Sequence, residues 1–316
     1  VRAVRYHEYG APEVLRIEEV EDPVPGAGEL LVRAAATGVN YFEVQVRAGV
    51  LPDPLGSSLP HIPGIEVAGT VVDVGPGVAA HRIGERVIGK VAAGSYAELV
   101  VVPAADAAPL DERLGEHRAL ALLGQGATAV GVFETAEIGP GDTVLVEAAG
   151  GGIGTLLVQL AKRAGARVVA GASAESKRRL AADLGADTTV DYSQPGWAEE
   201  VGPVSVVLET VGGQTAREAY GLLTAPGARM VVFGSASGDP VEIGSEQLLP
   251  VGAALIPFSL GYRPQRWPEL VRRAEELVVR GELDPVIGAV LPLAEAAAAH
   301  RAFEARTALG KTILTP

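Results

Sequence analysis

TVLVEAAGGGIG, residues 143–154, joins two different patterns. Thr143 to Ala148 is a short β-branched and apolar run that reads as a buried strand. Ile153 to Ala164 has the spacing of a helix, closed by Gly165. Between them, Ala149-x-Gly151-x-x-Gly154 sets out the dinucleotide fingerprint with alanine in the first glycine position. At such a turn the backbone can approach a pyrophosphate closely, and the helix N-terminus meets its negative charge. Glycine is abundant, at 40 residues, so the motif alone is also what an ordinary tight strand-to-helix turn would show. The strand before it and the helix after it favour the dinucleotide site.

Outward from this loop, strand and helix signals alternate. Gly139-Pro140-Gly141-Asp142 is a turn leading in. Arg167 to Ala170 reads as the next strand, Ala174 to Leu184 as a helix stopped by Gly185, and Thr188 to Asp191 as a short strand. Val204 to Glu209 and Arg229 to Phe233 supply two more apolar strands, separated by a helix at Gln214 to Leu223. Strands this apolar need both faces covered, so the middle of the chain is expected to be a doubly wound α/β domain with a parallel sheet.

Before it, from Val1 to about Pro109, short apolar runs broken by Gly and Pro read as an all-β unit: Leu30 to Ala36, Ile65 to Val74, Arg86 to Val91 and Tyr96 to Val102. Ala119 to Ala136 is a long apolar helix-like stretch between the two textures. After Pro257 the alternation stops, leaving an amphipathic helix at Pro268 to Val279, an Ala-rich helix at Ala294 to Arg306 and a last strand at Lys311 to Leu314. These are too few for a third core, so the C-terminal segment is expected to return to the N-terminal β domain. The division is then 1–120 with 258–316, and 121–257.

Composition narrows the function. At 316 residues and 48% hydrophobic, the chain has material for two packed cores. A net charge of −13 without a compensating basic run argues against nucleic acid and anionic membrane as partners. No segment strings together the roughly 18 apolar residues of a membrane span, and Val1 to Gly10 reads as a strand rather than a signal peptide, so the cytoplasm is the expected location. With no Cys there are no disulfides, no thiolate nucleophile and no Cys-containing zinc site. His7, His61, His81, His117 and His300 show no metal-ligand spacing, so no metal is expected.

The cofactor choice turns on the end of the second strand. An NAD site places Asp or Glu about 20 residues after the glycine loop to hold the ribose 2′-hydroxyl. This chain has Gly171-Ala172-Ser173 there, with Lys177 nearby, one of only four lysines among 26 basic residues. A hydroxyl and an ammonium suit a 2′-phosphate, which favours NADPH; Glu175 is an unhelpful neighbour, and Lys177 could also be a solvated helix lysine.

Together these segments resemble the zinc-independent quinone oxidoreductase (zeta-crystallin-like) branch of the medium-chain dehydrogenase/reductase superfamily. The likeness runs through Gly38-Val-Asn40 with Arg47 and Gly49, Pro63-Gly-Ile-Glu66-Val-Ala-Gly69, Val74-Gly75, Gly84-Glu-Arg-Val87 and Gly94-Ser-Tyr-Ala-Glu98. It continues through Gln125-Gly-Ala-Thr128-Ala, the loop Ala149 to Gly154, Leu184-Gly-Ala-Asp187 and Gly310-Lys311. The resemblance implies a GroES-like β-rich catalytic domain built from both chain ends, a Rossmann domain between them, and a cofactor cleft at their junction. It implies that Asn40 and Thr128 lie near the nicotinamide and that Ala149, Gly151, Gly152, Ile153 and Gly154 hold the pyrophosphate. It further implies that Ser173, Lys177 and Tyr192 surround the 2′-phosphate, and that Val211, Gly234 and Ser235 line the ribose sides. Zinc-dependent relatives carry Gly-His-Glu where this chain has Gly64-Ile65-Glu66, which together with the missing cysteines speaks against zinc catalysis.

Two departures stand out. Many enoyl reductases of this kind have a tyrosine proton donor where this chain has Val50-Leu51; Tyr41 is the nearest substitute, although a tyrosine there is equally a packing residue. Glu43 stands where the family often has Asp, with no consequence that the sequence reveals. The expected activity is hydride transfer from NADPH to a quinone or α,β-unsaturated carbonyl, with Asn40, Tyr41 or Thr128, or main-chain amides, stabilising the oxyanion. The alternatives are an enoyl-thioester reductase of fatty-acid or polyketide synthesis, and a non-catalytic NADPH-binding sensor or structural protein. A homodimer formed through the apolar run Leu248 to Phe258 is also expected.

Overall fold

The computed structural model describes residues 1–51, 58–224, 226–262 and 264–316. The loops Gly49 to His61 and Pro257 to Arg266 are expected from the sequence to help build the substrate pocket; within them, residues 52–57 and Arg263 lie outside the described residues. The chain forms two compact units, Val1–Gly124 with Val286–Pro316, and Gln125–Pro285.

The first unit is built on a seven-stranded, mainly antiparallel sheet. Its long central strand, Glu29–Val39, pairs with Glu66–Val74, Leu99–Pro103 and Lys311–Thr315. The side-chain alternation of a strand sends Leu30 and Val32 into a core with Val67, Val71, Val87, Val100 and Val102, while Arg33 faces out. The far end of the chain docks in register, Thr312 opposite Val39 and Leu314 opposite Thr37. A strand the sequence did not suggest, Ile287–Pro292, runs parallel beside it. Its residues alternate between half-buried and exposed, so it lacks a strong apolar signal.

The second unit is a six-stranded, all-parallel sheet. The strands lie in the order Thr188–Val190, Arg167–Gly171, Thr143–Val146, Val206–Glu209, Arg229–Val232, Ala254–Pro257. In chain order this is 3-2-1-4-5-6, the doubly wound arrangement whose switch point lies between Thr143–Val146 and Val206–Glu209. Ligands of such sheets bind outside the strand ends at that point. The apolar run Leu248 to Phe258 is divided between the helix Ser245–Val251 and the sheet's last strand, Ala254–Pro257.

Two expectations need correction. Residues 258–285 belong to the parallel-sheet unit, so the boundaries 120/121 and 257/258 move to 124/125 and 285/286. The cause is packing: Phe258 and Leu270 press on Gly131 so closely that a Cβ there would overlap the phenyl ring. Arg266 and Arg273 pair with Glu134, and Gln159 exchanges hydrogen bonds with the Asp284 backbone. Secondly, the helical stretch Gly115–Ala136 is long and apolar enough to cross a bilayer by length and composition, with 22 residues and a mean hydropathy of 1.2. Leu120, Leu122, Ala127 and Val132 are fully buried in the fold, as in a core helix, and Leu122–Gly126 forms a π turn.

Candidate active site

In the parallel-sheet unit, the strand Thr143–Val146 leads to Ala148, whose φ of 47° turns the chain sharply. The Ala149 N–H donates to the Gly171 carbonyl at 3.1 Å and the Gly151 N–H to that of Ala148 at 2.9 Å, fixing the loop. The helix Gly152–Arg163 then begins after Gly151, an N-cap residue with no side chain to occupy its first-turn N–H groups. A Cβ on Gly154 would lie 2.8 Å from the Ala149 Cα, and one on Gly152 would overlap the Gln125 amide. The helix can approach the loop backbone this closely only with glycine at position 154. A bare cradle of backbone donors at a helix start suits a pyrophosphate, and these residues fit a dinucleotide.

Lys177 packs directly over this loop: a Cβ on Gly150 would be 2.5 Å from its Cβ. Tyr192 lies against the end of the second strand, where a Cβ on Gly171 would be 2.9 Å from its ring, and its ring meets Trp197 edge-on at 6.4 Å. Ser173, Lys177 and Tyr192 are thus gathered at one strand end, beside the loop. The neighbouring Glu175 is exposed and paired with Arg179 at 2.9 Å. Arg178, which the sequence reading passed over, donates to the carbonyls of Ala172 and Ser173, both at 2.9 Å, and pairs with Asp191 at 3.0 Å. It locks the turn that presents Ser173. On the other side of the switch point, Val211 is buried and Gly234 abuts Thr210. The Ser235 hydroxyl donates to the Asp239 carbonyl at 2.7 Å.

Beneath this loop lie two carboxyls that the sequence reading also missed. Glu147 and Glu209 are both fully buried at the ends of adjacent strands. Glu209 accepts from the N–H groups of Val211 at 2.8 Å and Gly212 at 2.5 Å, and Glu147 from Val211 at 3.3 Å. Burial, followed by the Glu209 charge, pushes Glu147 well above the usual carboxylate range; burial raises Glu209 as well. Burial thus favours the protonated form of both carboxyls.

In the antiparallel unit, Asn40 caps the helix Tyr41–Arg47, and its backbone N–H donates to Glu43 at 2.8 Å. The spacing Asn-x-x-Glu is a capping-box signature that could have marked Glu43 in advance. Lys311 donates to the Asn40 side-chain oxygen at 2.9 Å and to Glu66 at 2.6 Å, with both ends of the ion pair buried. Gly38 is glycine because a Cβ would collide with this pair, lying 2.8 Å from the Lys311 nitrogen. Lys311 has no acceptor, so the amide oxygen must face it, and the Asn40 NH2 is a two-hydrogen donor that reaches Glu43 at 3.3 Å.

Glu43 also accepts from the Ile65 N–H at 3.1 Å and the Tyr96 hydroxyl at 2.8 Å; Tyr96 in turn lies 3.2 Å from His300 Nε2. Burial raises Glu43 to about 7, against the Asn40 N–H, and the Glu66 charge adds to the rise. Burial likewise lifts Tyr96 well above its usual value and, with Arg47 helping, lowers His300 to about 3, so His300 is neutral. Tyr41 stacks on Phe303 with ring centres 6.3 Å apart, which ties the ring into local packing. Thr128 is half-buried near the start of the helix Ala127–Ala136, in the other unit. Ile65, where zinc-dependent relatives carry a ligand, brings no donor atom.

A GroES-like fold supplying a polar side-chain cluster and a doubly wound fold supplying a dinucleotide loop define a two-domain pyridine-nucleotide oxidoreductase. Residues 26–112 match the alcohol dehydrogenase GroES-like domain family, and residues 152–276 the zinc-binding dehydrogenase family. The chain is 33% identical to a 2-haloacrylate reductase of Burkholderia sp, covering 100% of this chain and 99% of the relative. It is 32% identical to a quinone oxidoreductase of Pseudomonas aeruginosa, covering 100% and 99%. The structure of Escherichia coli quinone oxidoreductase complexed with NADPH superposes with a TM-score of 0.90 at 28% identity, over 100% of both chains. The chain belongs to the medium-chain dehydrogenase/reductase superfamily, in its zinc-independent quinone oxidoreductase branch.

Proposed function

We propose that this protein binds NADPH and, without zinc, reduces a quinone or an α,β-unsaturated carbonyl compound. The observation that carries the reading is the glycine loop with Lys177 packed on Gly150 and Ser173 standing where an NAD site would carry a carboxylate. The solved E. coli relative holds NADPH, which supports the choice. Bound NADPH would supply the hydride. The loop Ala149 to Gly154 would hold its pyrophosphate, and Ser173, Lys177 and Tyr192 its 2′-phosphate. Val211 and the backbone at Gly234 and Ser235 would line the riboses, and Thr128 the nicotinamide end. The Asn40 NH2, aimed by Lys311, would donate to the oxyanion that hydride addition creates. Tyr41 is assigned a packing role because of its stack on Phe303.

The haloacrylate-reducing relative favours activated alkenes as a second acceptor class beside quinones. The test is rapid-mixing oxidation of NADPH by phenanthrenequinone, a 2-substituted enone, 2-chloroacrylate and a crotonyl thioester. Turnover of quinone or enone is expected. A thioester consumed much faster than either would move the reading to enoyl-thioester reduction, and binding without any turnover to a non-catalytic NADPH protein. We further infer a cytoplasmic homodimer joined through the edge strand Ala254–Pro257.

A further inference from the structure

The cluster behind Asn40 holds two buried carboxyls and one ammonium. Glu43 is 4% exposed, Glu66 2% and Lys311 0%. Lys311 is spent on Glu66 and Asn40, whereas the partners of Glu43 among the described residues are neutral donors: the N–H groups of Asn40 and Ile65, the Asn40 NH2 and the Tyr96 hydroxyl. A second buried negative charge with no cation of its own is costly, so this carboxyl is the one that takes up a proton. Glu43 is also one of the walls of a narrow cleft in this unit, with Phe42, His61, Gly64, Ile65 and Ala92. A buried acid without a cation of its own that borders this cleft three residues from Asn40 is placed to hold a proton and to give it away.

We propose that Glu43 is the proton donor of the reduction, taking the place of the tyrosine that Val50-Leu51 lacks. This rests on the reductase reading above. Hydride from the reduced nicotinamide forms a C–H bond at the β-carbon of an enone, and the alkene electron pair moves onto the conjugated carbonyl as an enolate. The Glu43 O–H bond breaks as a C–H bond forms at the α-carbon; on a quinone, the proton goes to the anionic oxygen. The carboxylate left behind is held by the Asn40 and Ile65 N–H groups and the Tyr96 hydroxyl, and regains its proton from water after product departs.

The charged and titratable groups around Glu43 are Glu66, Lys311 and Tyr96, with His61 on the same cleft, His300 beyond Tyr96 and Arg47 on its own helix. Glu66 and Lys311 cancel each other, His300 is neutral, and Arg47 is engaged by Glu304. Because the donor must be protonated, the rate is expected to fall as pH rises through about 7.

Three measurements decide the matter. Infrared difference spectra of the cofactor-free wild type against Glu43→Gln are expected to show a protonated-carboxyl stretch that titrates near neutrality; no such band overturns the proposal. In heavy water, wild-type reduction of a 2-substituted enone is expected to place deuterium on one face of the α-carbon. Glu43→Gln is expected to lose about 10²–10⁴ in kcat, a positioned acid's usual worth, and to scramble that face while NADPH affinity is unchanged. Glu43→Asp is expected to restore part of both. Tyr96→Phe, which removes a bond favouring the carboxylate, is expected to move the alkaline limb of the pH–rate profile upward even if Glu43→Gln folds poorly. Wild-type turnover with an unmoved limb in Tyr96→Phe, or undiminished facial selectivity in Glu43→Gln, overturns the proposal alone. A wild type that reduces no acceptor overturns the reductase reading and this proposal with it.

Discussion

Lys177 and Lys311 show how far one residue type can diverge in role within one chain. Lys177 lies half-buried over Gly150, where an ammonium can meet a 2′-phosphate. A hydrogen bond to a charged group is worth about 1.5–3 kcal/mol, so Lys177→Ala is expected to weaken NADPH binding by about 10- to 100-fold and to leave NADH binding nearly unchanged. Titration calorimetry with both nucleotides decides it, and an equal loss for the two would remove the 2′-phosphate assignment. Lys311 is fully buried and holds both Glu66 and Asn40. Replacing it by Met strands the Glu66 charge, a change that typically costs about 3–5 kcal/mol. Glu66→Leu added to Lys311→Met is expected to recover most of that in urea unfolding, because the stranded charge goes too. If the double variant is as unstable as the single one, the pair is not the main term. The glycines of the dinucleotide loop were legible because their reason is local: backbone crowding at one turn. Glu43, Glu66 and Lys311 were read only as family positions, and the capping-box spacing that marks Glu43 went unused. Their meaning comes from contacts up to 271 positions apart, as in the bond from Lys311 to Asn40.

At the scale of elements, the strand Val206–Glu209 was found from its apolar run, but the role of its last residue was not. A glutamate at the end of an apolar strand reads as the strand meeting solvent. In the fold it meets a second glutamate, Glu147, because parallel pairing sets Leu208 opposite Val146 and brings the two ends together. Register between strands 60 residues apart is absent from local periodicity. The pairing has a measurable consequence. Both carboxyls are raised in the folded protein, so relative to an ordinary carboxyl their contribution to stability is full below the unfolded value and is lost as pH rises through the folded one. Glu147→Gln removes one of these titrations and keeps the shape. Wild type and variant are therefore expected to converge in acid. The variant should gain in relative stability as pH rises, by up to about 1.4 kcal/mol per pH unit for one proton. Thermal unfolding of both from pH 5 to pH 9 checks this, and parallel curves would mean that the pair carries no excess proton. The helix Trp267–Val279 teaches the same lesson. Its amphipathic pattern was clear, but the core that its apolar face joins was set by Phe258, Gly131 and Glu134, and so it was assigned to the wrong unit.

Across the whole molecule, the division into two units was legible because strand-only and strand-helix textures alternate on scales of tens of residues, longer than any local ambiguity. What texture cannot give is how the parallel sheet ends. Among the described residues, its last strand, Ala254–Pro257, has a neighbour on one side only, with Leu255 39% exposed and Leu249, on the preceding helix, 82% exposed. An open edge carrying apolar side chains invites pairing with another chain. Its most economical partner is the same strand of a second copy, running antiparallel about a two-fold axis, since such a contact closes on itself and covers this edge in both copies. Two six-stranded sheets would then continue as one of twelve. Light scattering is expected to give twice the mass of 32.4 kDa at micromolar concentration. Leu255→Lys, which sets like charges facing each other at the seam, is expected to shift the protein to monomer while leaving NADPH binding intact, because the dinucleotide loop lies on strands nearer the sheet's centre. A wild type that stays monomeric would show that the exposed edge is protected by its own twist and its terminal Pro257. A dimer that survives Leu255→Lys would place the seam on another surface.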